Sequence, residues 1–164
     1  MATFKTMYPC LWFDTQAEEA AQFYTGIFDG SRILEVTRYG SGGPRPEGLA
    51  MTVIFELAGQ RFMGLNGGPD YKFNESISFV VNCDTQDEVD ELWAALTAGG
   101  QEGPCGWLKD RFGLSWQIVP TAMQKLLTDP DPNRAQGAMR AMLGMKKLDV
   151  AALRAAADAA VGAA

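Results

Sequence analysis

One pattern occurs twice in this chain and constrains its fold more than any other feature of the sequence. Residues Cys10–Gly26 and Val80–Leu96 each contain a short apolar run, then Asp-Thr-Gln, then a longer run with apolar residues at helical spacing. Thr15 and Thr85 each precede a glutamate by three positions, the spacing of a capping box at a helix N-terminus. The sequence therefore predicts two strand–helix units that derive from a duplicated module.

Further strands are predicted after each unit, because the segments alternate or carry turn signals. The loop at 40–48 is rich in glycine but lacks the spacing of phosphate-binding motifs, so we interpret it as a connector or as a lid over a site. The order βαβββ in each half predicts an α+β protein with two curved antiparallel sheets, each with one helix packed outside it. Strands are predicted at 6–13, 31–39, 49–57, 61–66, 76–82, 104–111 and 114–119, and helices at 16–28 and from 86 to the glycines at 99–100.

The composition changes after Pro120, where helical signals replace strand signals. Helices are predicted at 121–127, 133–145 and 150–161, the last of them capped by Asp149. We expect a paired-module domain at 1–120, with module one at 1–70 and module two at 71–120, followed by a C-terminal helical extension at 121–164. Four of the eight methionines lie between Met123 and Met145, and we expect this stripe to pack on the domain or across a homodimer rather than to bind another partner.

Charge and cysteine content narrow the classes of partner and compartment. The net charge of −6 and the pI of about 4.6 disfavour nucleic acid or an anionic membrane surface as the main partner. No apolar run reaches the length of a membrane helix, and residues 1–6 carry no signal-peptide core, so we expect a cytoplasmic protein. The three cysteines form no C-x-x-C pair, and their odd number suits buried thiols in a reducing compartment.

The chain has no histidine. This absence excludes Ser-His and Cys-His nucleophile pairs, imidazole general bases and the usual zinc and iron ligand sets. Any catalysis would therefore depend on carboxylates, lysine, tyrosine, cysteine or backbone groups.

Three motifs resemble a known family: Tyr8–Tyr24, Phe79–Trp93 and Cys105–Pro120. They are similar to the PhnB-like branch of the glyoxalase, bleomycin-resistance and extradiol-dioxygenase group, the vicinal oxygen chelate superfamily, whose members are often labelled 3-demethylubiquinone-9 3-methyltransferase. The resemblance extends to the tail at 138–149. It implies the glyoxalase/bleomycin-resistance fold, with modules that curl into a cup and are usually completed in a homodimer. It also implies a divalent metal held by His or Glu from the first and last strand of each module.

The residues at those four positions are not good metal ligands. The first-strand position falls within 6–10, where no His or carboxylate occurs, and the others fall at Met63, Ser76 and Gln117, counted from the hairpin glycines Gly59 and Gly113 for the two last strands. We therefore predict no metal and no other cofactor. The methyltransferase label is equally unsupported, because the first strand-to-helix junction at 13–16 lacks the glycine turn that a Rossmann-type cofactor site needs.

The cup is predicted to be neutral and partly aromatic, which suits a small, partly apolar molecule. An alternative is a narrow cup filled by its own side chains. The predicted ligand-binding residues are Tyr8, Cys10, Trp12, Met63, Ser76, Ser78, Trp116 and Gln117.

Three side chains are candidates for catalysis, Glu56, Tyr8 and Lys109. Glu56 lies in an apolar strand, where an unpaired carboxylate is costly, so we expect it to pair with Arg61 across the hairpin rather than to act as a base. Lys109 lies in a charged run before a turn, either on a solvated face or gripping an anionic ligand. For Cys10 we expect a buried thiol rather than a nucleophile.

Three functions remain open at this point. The preferred one is a metal-free protein that binds a small-molecule ligand, of the bleomycin-resistance type. The second is an enzyme of the same superfamily, a lyase, isomerase or transferase that uses Glu56, Tyr8 or Lys109. The third is an interaction protein whose methionine-rich tail docks a partner and whose cup is vestigial.

Overall fold

The computed structural model describes residues 7–161. The chain divides into two compact units, the first ending at Phe73 and the second beginning at Asn74. Each unit contains a four-stranded sheet and a helix between its first and second strands. The predicted first-strand residue Thr6 lies outside the described residues.

The first unit contains one sheet with the strand order β1-β4-β3-β2. β1 is parallel to β4, and the other neighbours are antiparallel. The α1 helix returns the chain to the end of the sheet where β1 began, so that β2 and later β4 run in the direction of β1. The elements are β1 (Cys10–Phe13), α1 (Ala17–Ile27), β2 (Arg32–Arg38), β3 (Ala50–Leu57) and β4 (Gln60–Asn66).

The second unit repeats this topology, with the strand order β5-β8-β7-β6 and β5 parallel to β8. The duplicated βαβββ order and the α+β class are thus confirmed, although the strand at Gln101–Glu102 falls outside the predicted ranges. The expectation of antiparallel sheets is wrong, because both sheets are mixed. The elements are β5 (Ser78–Cys83), α2 (Gln86–Thr97), β6 (Gln101–Glu102), β7 (Trp107–Lys109) and β8 (Ser115–Pro120).

Three strands begin two or more residues later than predicted. β1 begins at Cys10, after Pro9, a residue that has no amide to donate to a ladder. β7 begins at Trp107 because Cys105 and Gly106 have φ angles of 56° and 83°, which an extended strand does not contain. β5 begins at Ser78, so Ser76 precedes the strand instead of lying on it.

Each sheet is covered on one face by the helix of its own unit. In the second unit, buried Val89, Trp93 and Leu96 of α2 lie over β7 and β8, where Leu108 and Ile118 are also buried. Because successive strand residues point to opposite faces, Lys109, Ser115 and Gln117 lie on the other side. We call this side of the second sheet the non-helix face.

Of the two predicted capping boxes, only the second forms among the described residues. The Thr85 side chain accepts the Glu88 amide at 3.2 Å, and the Glu88 carboxylate accepts the Thr85 amide at 3.2 Å. At α1 no N-cap side chain bonds to the helix, and the Ala17 amide instead donates to Asn66 Oδ1 at 2.8 Å. Glu18 is diverted to Arg38, whose guanidinium donates to both carboxylate oxygens at 2.8 and 3.0 Å.

The two threonines therefore make a matched pair for mutation. We expect Thr85→Ala to lower the free energy of unfolding by about 1 kcal/mol, because the amide it caps loses its acceptor. Thr15→Ala is expected to change it by less than about 0.3 kcal/mol, in the range of ordinary surface substitutions. Urea unfolding followed by circular dichroism measures both. If both variants lost the same free energy of unfolding, the conclusion that only the Thr85 capping box forms would be wrong.

The tail after Pro120 forms three helices, as predicted: α3 (Thr121–Leu127), α4 (Pro132–Leu143) and α5 (Val150–Val161). They enclose a small core of Leu126, Ala138, Leu153 and Ala157. Met123, Met142 and Met145 pack against this core, so most of the methionine stripe serves internal packing.

Within the second unit, Gln86 at the start of α2 bonds to the helical tail. Its amide donates to the Leu148 carbonyl at 3.0 Å and accepts the Val150 amide at 2.9 Å. Asp149 caps α5 by accepting the Ala152 amide at 2.8 Å, as predicted. None of the helices within residues 7–161 is long and apolar enough to span a bilayer.

Candidate functional site

A row of polar side chains crosses the non-helix face of the second sheet. The strand register places Gln101 beside Lys109, Lys109 beside Ser115, and Ser115 beside Ser78. Residues in register on neighbouring strands project from the same face, and across an antiparallel pair their Cβ atoms lie about 5 Å apart. The four strands thus place an amide, an ammonium group and two hydroxyls side by side.

A second row runs next to the first. Trp107 lies in register with Gln117, and the Gln117 amide donates to Ser78 Oγ at 2.8 Å. Trp107 and Lys109 are two residues apart on β7 and so share a face. The indole therefore lies beside the ammonium group.

A cavity of about 440 Å³ opens on this face. Its wall combines the apolar surfaces of Pro104 and Trp107 with the polar groups of Lys109 and Ser115, and Glu75 contributes a carboxylate. Small-molecule sites typically measure about 300–1,000 Å³ and combine apolar walls with a few polar groups. The cavity has the size and lining of such a site.

The hydroxyl of Ser115 is the unusual group in this wall. Ser115 is fully buried, and its Oγ makes no hydrogen bond to any residue that the structure describes. A buried hydroxyl without a partner costs about 1–3 kcal/mol, and native proteins leave few such groups. The wall of the cavity thus contains a hydrogen-bonding group whose partner is not supplied by residues 7–161.

Lys109 is held by an acidic partner. Its Nζ lies 2.5 Å from Glu75 Oε1, and the two side chains are 33% and 62% exposed. The hydrogen bond from Lys109 holds the pKa of the Glu75 carboxyl below its usual value. Exposed ion pairs of this kind are weak and exchange readily with solvent or another ion.

Glu102 also borders the cavity, but it is in register with Leu108, and its carboxylate has two donors on the helix face. Trp93 Nε1 donates to it at 3.0 Å and Lys146 Nζ at 3.2 Å. These hydrogen bonds, with that from Trp93 the larger influence, hold the pKa of Glu102 below its usual value. Glu102 is thus a satisfied anion that stabilises the wall.

Of the predicted ligand residues, Ser78 and Gln117 lie on this face, together with the catalytic candidate Lys109. Trp116 does not, because it is buried in the core against Phe79 and donates its indole hydrogen to Asp110 at 2.9 Å. Ser76 is exposed before the strand, where it bonds to Asn74 at 2.5 Å. Trp116 and Ser76 therefore do not lie with Ser78 and Gln117 on the non-helix face, and the roles predicted for the eight ligand residues stay predictions.

The other predicted ligand residues lie in the first unit. Cys10 is in register with Met63, and Trp12 projects from the same face two residues further along β1. The Trp12 indole donates to the Gly68 carbonyl at 2.8 Å and meets the Tyr71 ring edge-on at 5.0 Å.

Cys10 is exposed, so the prediction of a buried thiol there is wrong. Partial burial of its surroundings nevertheless raises the pKa of the Cys10 thiol, which disfavours the nucleophilic thiolate. Cys83 is buried, and burial, with the Glu88 and Asp84 carboxylates, raises the pKa of its thiol to about 11.

The predicted ion pair of Glu56 with Arg61 does not form. Both Arg32 and Arg61 are register neighbours of Glu56, on the two strands that flank β3. The carboxylate pairs with Arg32 at 3.4 Å, and the Arg61 guanidinium lies over the Tyr8 ring, 6.0 Å from its centroid. Glu56 and Tyr8 thus both have partners in the folded chain.

Ser115, Trp107 and Glu75 are cavity residues that sequence reasoning missed. Ser115 could have been predicted once Gln117 was assigned to the site, because residues two apart on a strand share a face. Trp107 could not have been predicted, because its position depends on the register of β7 with β8, which the sequence does not show. Glu75 lies before β5 and carries no motif.

The donor set does not fit the divalent cation that the resemblance implies. The three single positions that the resemblance implies offer a thioether, a hydroxyl and an amide, at Met63, Ser76 and Gln117, and the described part of the fourth position, 7–10, contains no His or carboxylate. Within residues 7–161, no three His, Cys, Asp or Glu side chains come close enough to share a metal ion. Hard divalent cations prefer carboxylates, and zinc prefers imidazole or clustered thiolates.

Two βαβββ units of identical topology define a glyoxalase/bleomycin-resistance fold, and comparison with known proteins identifies the family. Residues 5–119 match the family model described as 3-demethylubiquinone-9 3-methyltransferase, and the chain belongs to this PhnB-like family. No curated protein matches the chain.

Solved structures agree with this assignment. A PhnB protein from Bacillus cereus is 32% identical, with a TM-score of 0.65 over 71% of this chain and 100% of its own. A protein from Pseudomonas aeruginosa is 22% identical, with a TM-score of 0.59 over 71% of this chain and 98% of its own. The family match ends at residue 119, so α3, α4 and α5 lie beyond it. The methyltransferase description is a family name, and the activity of this chain is not established.

Proposed function

We propose that this protein binds a small, partly apolar molecule in the cavity on the non-helix face of the second sheet. The observation that carries the proposal is the buried Ser115 hydroxyl, which lies in the cavity wall and has no partner among the described residues. A bound molecule with a polar group would supply that partner, and the apolar surfaces of Pro104 and Trp107 would cover its remainder.

Binding is favoured over catalysis by the state of the candidate catalytic groups. Glu56 is paired with Arg32, and Lys109 is paired with Glu75. The Tyr8 ring is covered by a guanidinium group. A general base needs a free group within reach of a reacting atom, and the Glu56 carboxylate, the carboxylate candidate for that role, is already engaged with a guanidinium group.

The proposal includes a homodimer in the cytoplasm. The homodimer is what the family resemblance implies. The compartment is supported by the three cysteines, all of which are free thiols.

A native mass spectrum of freshly purified protein, followed by a ligand-observed NMR screen of small aromatic and aliphatic compounds, tests the proposal. We expect a dimer and at least one class of compound that binds. Ser115→Ala is expected to weaken that binding about 3- to 10-fold, the effect of losing one hydrogen bond. Thr15→Ala, which removes a hydroxyl at an exposed position before α1, is the matched control and should have no effect on binding.

Two outcomes would overturn the proposal. One is a screen in which no compound binds the wild-type protein. The other is a bound compound whose affinity is the same in the wild type and in Ser115→Ala.

A further inference from the structure

We infer that the molecule bound in this cavity is an aromatic carboxylate, with its ring on Trp107 and its carboxylate between Lys109 Nζ and Ser115 Oγ. This inference rests on the proposed function and narrows it to one ligand class. It is carried by the arrangement of an ammonium group, a hydroxyl and an indole on one face of the sheet.

The polar end of the cavity is built from hydrogen-bond donors. Lys109 and Ser115 are direct cross-strand neighbours, so their side chains start about 5 Å apart. An ammonium group has three hydrogens, of which Glu75 takes one, and the Ser115 hydroxyl has another to give. A carboxylate has two oxygens and accepts from both donors, and hydrogen bonds to ionised groups are the stronger ones. A cationic ligand would instead meet the charge of Lys109.

Glu75 supports the same conclusion, because it already places a carboxylate on Lys109. Its side chain is 62% exposed and belongs to the segment before β5 rather than to the sheet. A ligand carboxylate can replace the Glu75 carboxylate on Lys109 while the Glu75 side chain rotates out into the solvent. Lys109 then keeps one anionic partner throughout. The exchange is inexpensive because exposed ion pairs contribute little. Glu102 does not compete for Lys109, since Trp93 and Lys146 hold it.

The apolar part of the ligand is selected by Trp107. The indole lies two residues from Lys109 on the same strand, about 7 Å along the sheet. Aromatic rings pack on an indole in offset or edge-on arrangements that add to simple burial. A ring joined to the carboxylate by one or two carbons spans the distance from Trp107 to the two donors.

The test compares three compounds of similar shape, phenylacetate, phenylacetamide and 2-phenylethylamine, by chemical-shift titration of the isotopically labelled protein. We expect phenylacetate to bind at least 10-fold more tightly than the neutral amide, and the amine to bind least. Glu75→Gln removes the competing carboxylate and is expected to tighten phenylacetate about 3- to 10-fold without changing the amide.

Lys109→Gln is the opposing variant. We expect it to weaken phenylacetate at least 10-fold and to leave the amide unchanged. Lys125→Gln, at an exposed position on α3, makes the same change in net charge and should have no effect on either compound. Because Glu75 lies outside the sheet, Glu75→Gln keeps the test decisive even if the Lys109 variant folds poorly.

The outcomes separate this inference from the proposed function. If the amide or the amine binds as tightly as phenylacetate, in a way that depends on Ser115, the carboxylate assignment is wrong and the binding function stands. If Glu75→Gln leaves phenylacetate binding unchanged or weaker, the exchange at Lys109 is wrong. If none of the three compounds binds while other compounds bind through Ser115, the ligand class is also wrong.

Discussion

Replacing Asp110 with alanine is expected to lower the free energy of unfolding by about 3–5 kcal/mol, the largest loss we expect from a single side chain outside the hydrophobic core. Asp110 is only 3% exposed. Its Oδ1 accepts the amides of Phe112 and Leu114 at 2.8 and 3.0 Å, and its Oδ2 accepts the Trp116 indole at 2.9 Å. Alanine would leave three donors without this acceptor, two of them in buried surroundings.

The effect extends from the turn to the cavity. The backbone of Asp110 also bonds across the turn, donating to Leu114 and accepting from Gly113. The residue therefore sets the register in which Lys109 faces Ser115. We expect Asp110→Ala to reduce ligand binding even under conditions where most of the protein is folded.

Urea unfolding followed by circular dichroism measures the predicted loss. Asp110→Asn should fall between the wild type and the alanine variant, because the amide keeps one acceptor but cannot accept the indole hydrogen with its NH₂ group. Asp70→Ala, at an exposed position, is the control and should change stability by less than about 0.5 kcal/mol. A loss below about 1 kcal/mol in Asp110→Ala would show that the network contributes little.

The second large effect is expected for Asn66→Ala, at about 2–4 kcal/mol. Asn66 is fully buried at the end of β4. Its Oδ1 accepts the first amide of α1, from Ala17, at 2.8 Å, and its Nδ2 donates to the Ala50 carbonyl at 2.9 Å. One side chain thus connects the helix, β3 and β4, and alanine would leave a buried donor and a buried acceptor unpaired.

Asn66→Asp provides a sharper version of the same experiment. The carboxylate retains an acceptor for Ala17 and places a negative charge near the N-terminus of α1, which is favourable. It also faces the Ala50 carbonyl without a hydrogen to donate, so we expect a loss comparable to that of the alanine variant. The control is Asn74→Ala, at an exposed position. If Asn66→Ala and Asn74→Ala unfold at the same urea concentration, the cap assigned to Asn66 is wrong.

The architecture could be predicted from the sequence because it depends on patterns that are local and repeated. The two Asp-Thr-Gln junctions predict two helices, and both form. The same local pattern failed at the capping box of α1, because the acceptor that caps this helix, Asn66, lies 49 residues away. The parallel pairing of β1 with β4 is equally non-local, so the prediction of antiparallel sheets had no means of detecting it.

The site was predictable only in part for related reasons. Gln117 and Ser78 follow from the family positions and from strand alternation. Trp116 and Gln117 are adjacent on one strand, so only one of them can lie on the non-helix face, and the burial of Trp116 in the core shows that it is Gln117. Lys109 belongs to the site because it lies beside Ser115 and pairs with Glu75. The strand register and the ion pair that bring these residues together are not encoded in any sequence spacing.

The parallel edge strands also affect the order in which the chain can fold as it leaves the ribosome. In the part of the chain that the structure describes, β1 has one strand neighbour, β4, and β5 has one, β8. Cys10 pairs with Met63, so the first strand made is held without its partner until nearly the whole unit has been synthesised. Such long-range pairing slows folding, because the chain loses entropy when the intervening loop closes, before the contacts that offset this loss have formed. In each unit the first strand should therefore join the sheet late, when the last strand emerges.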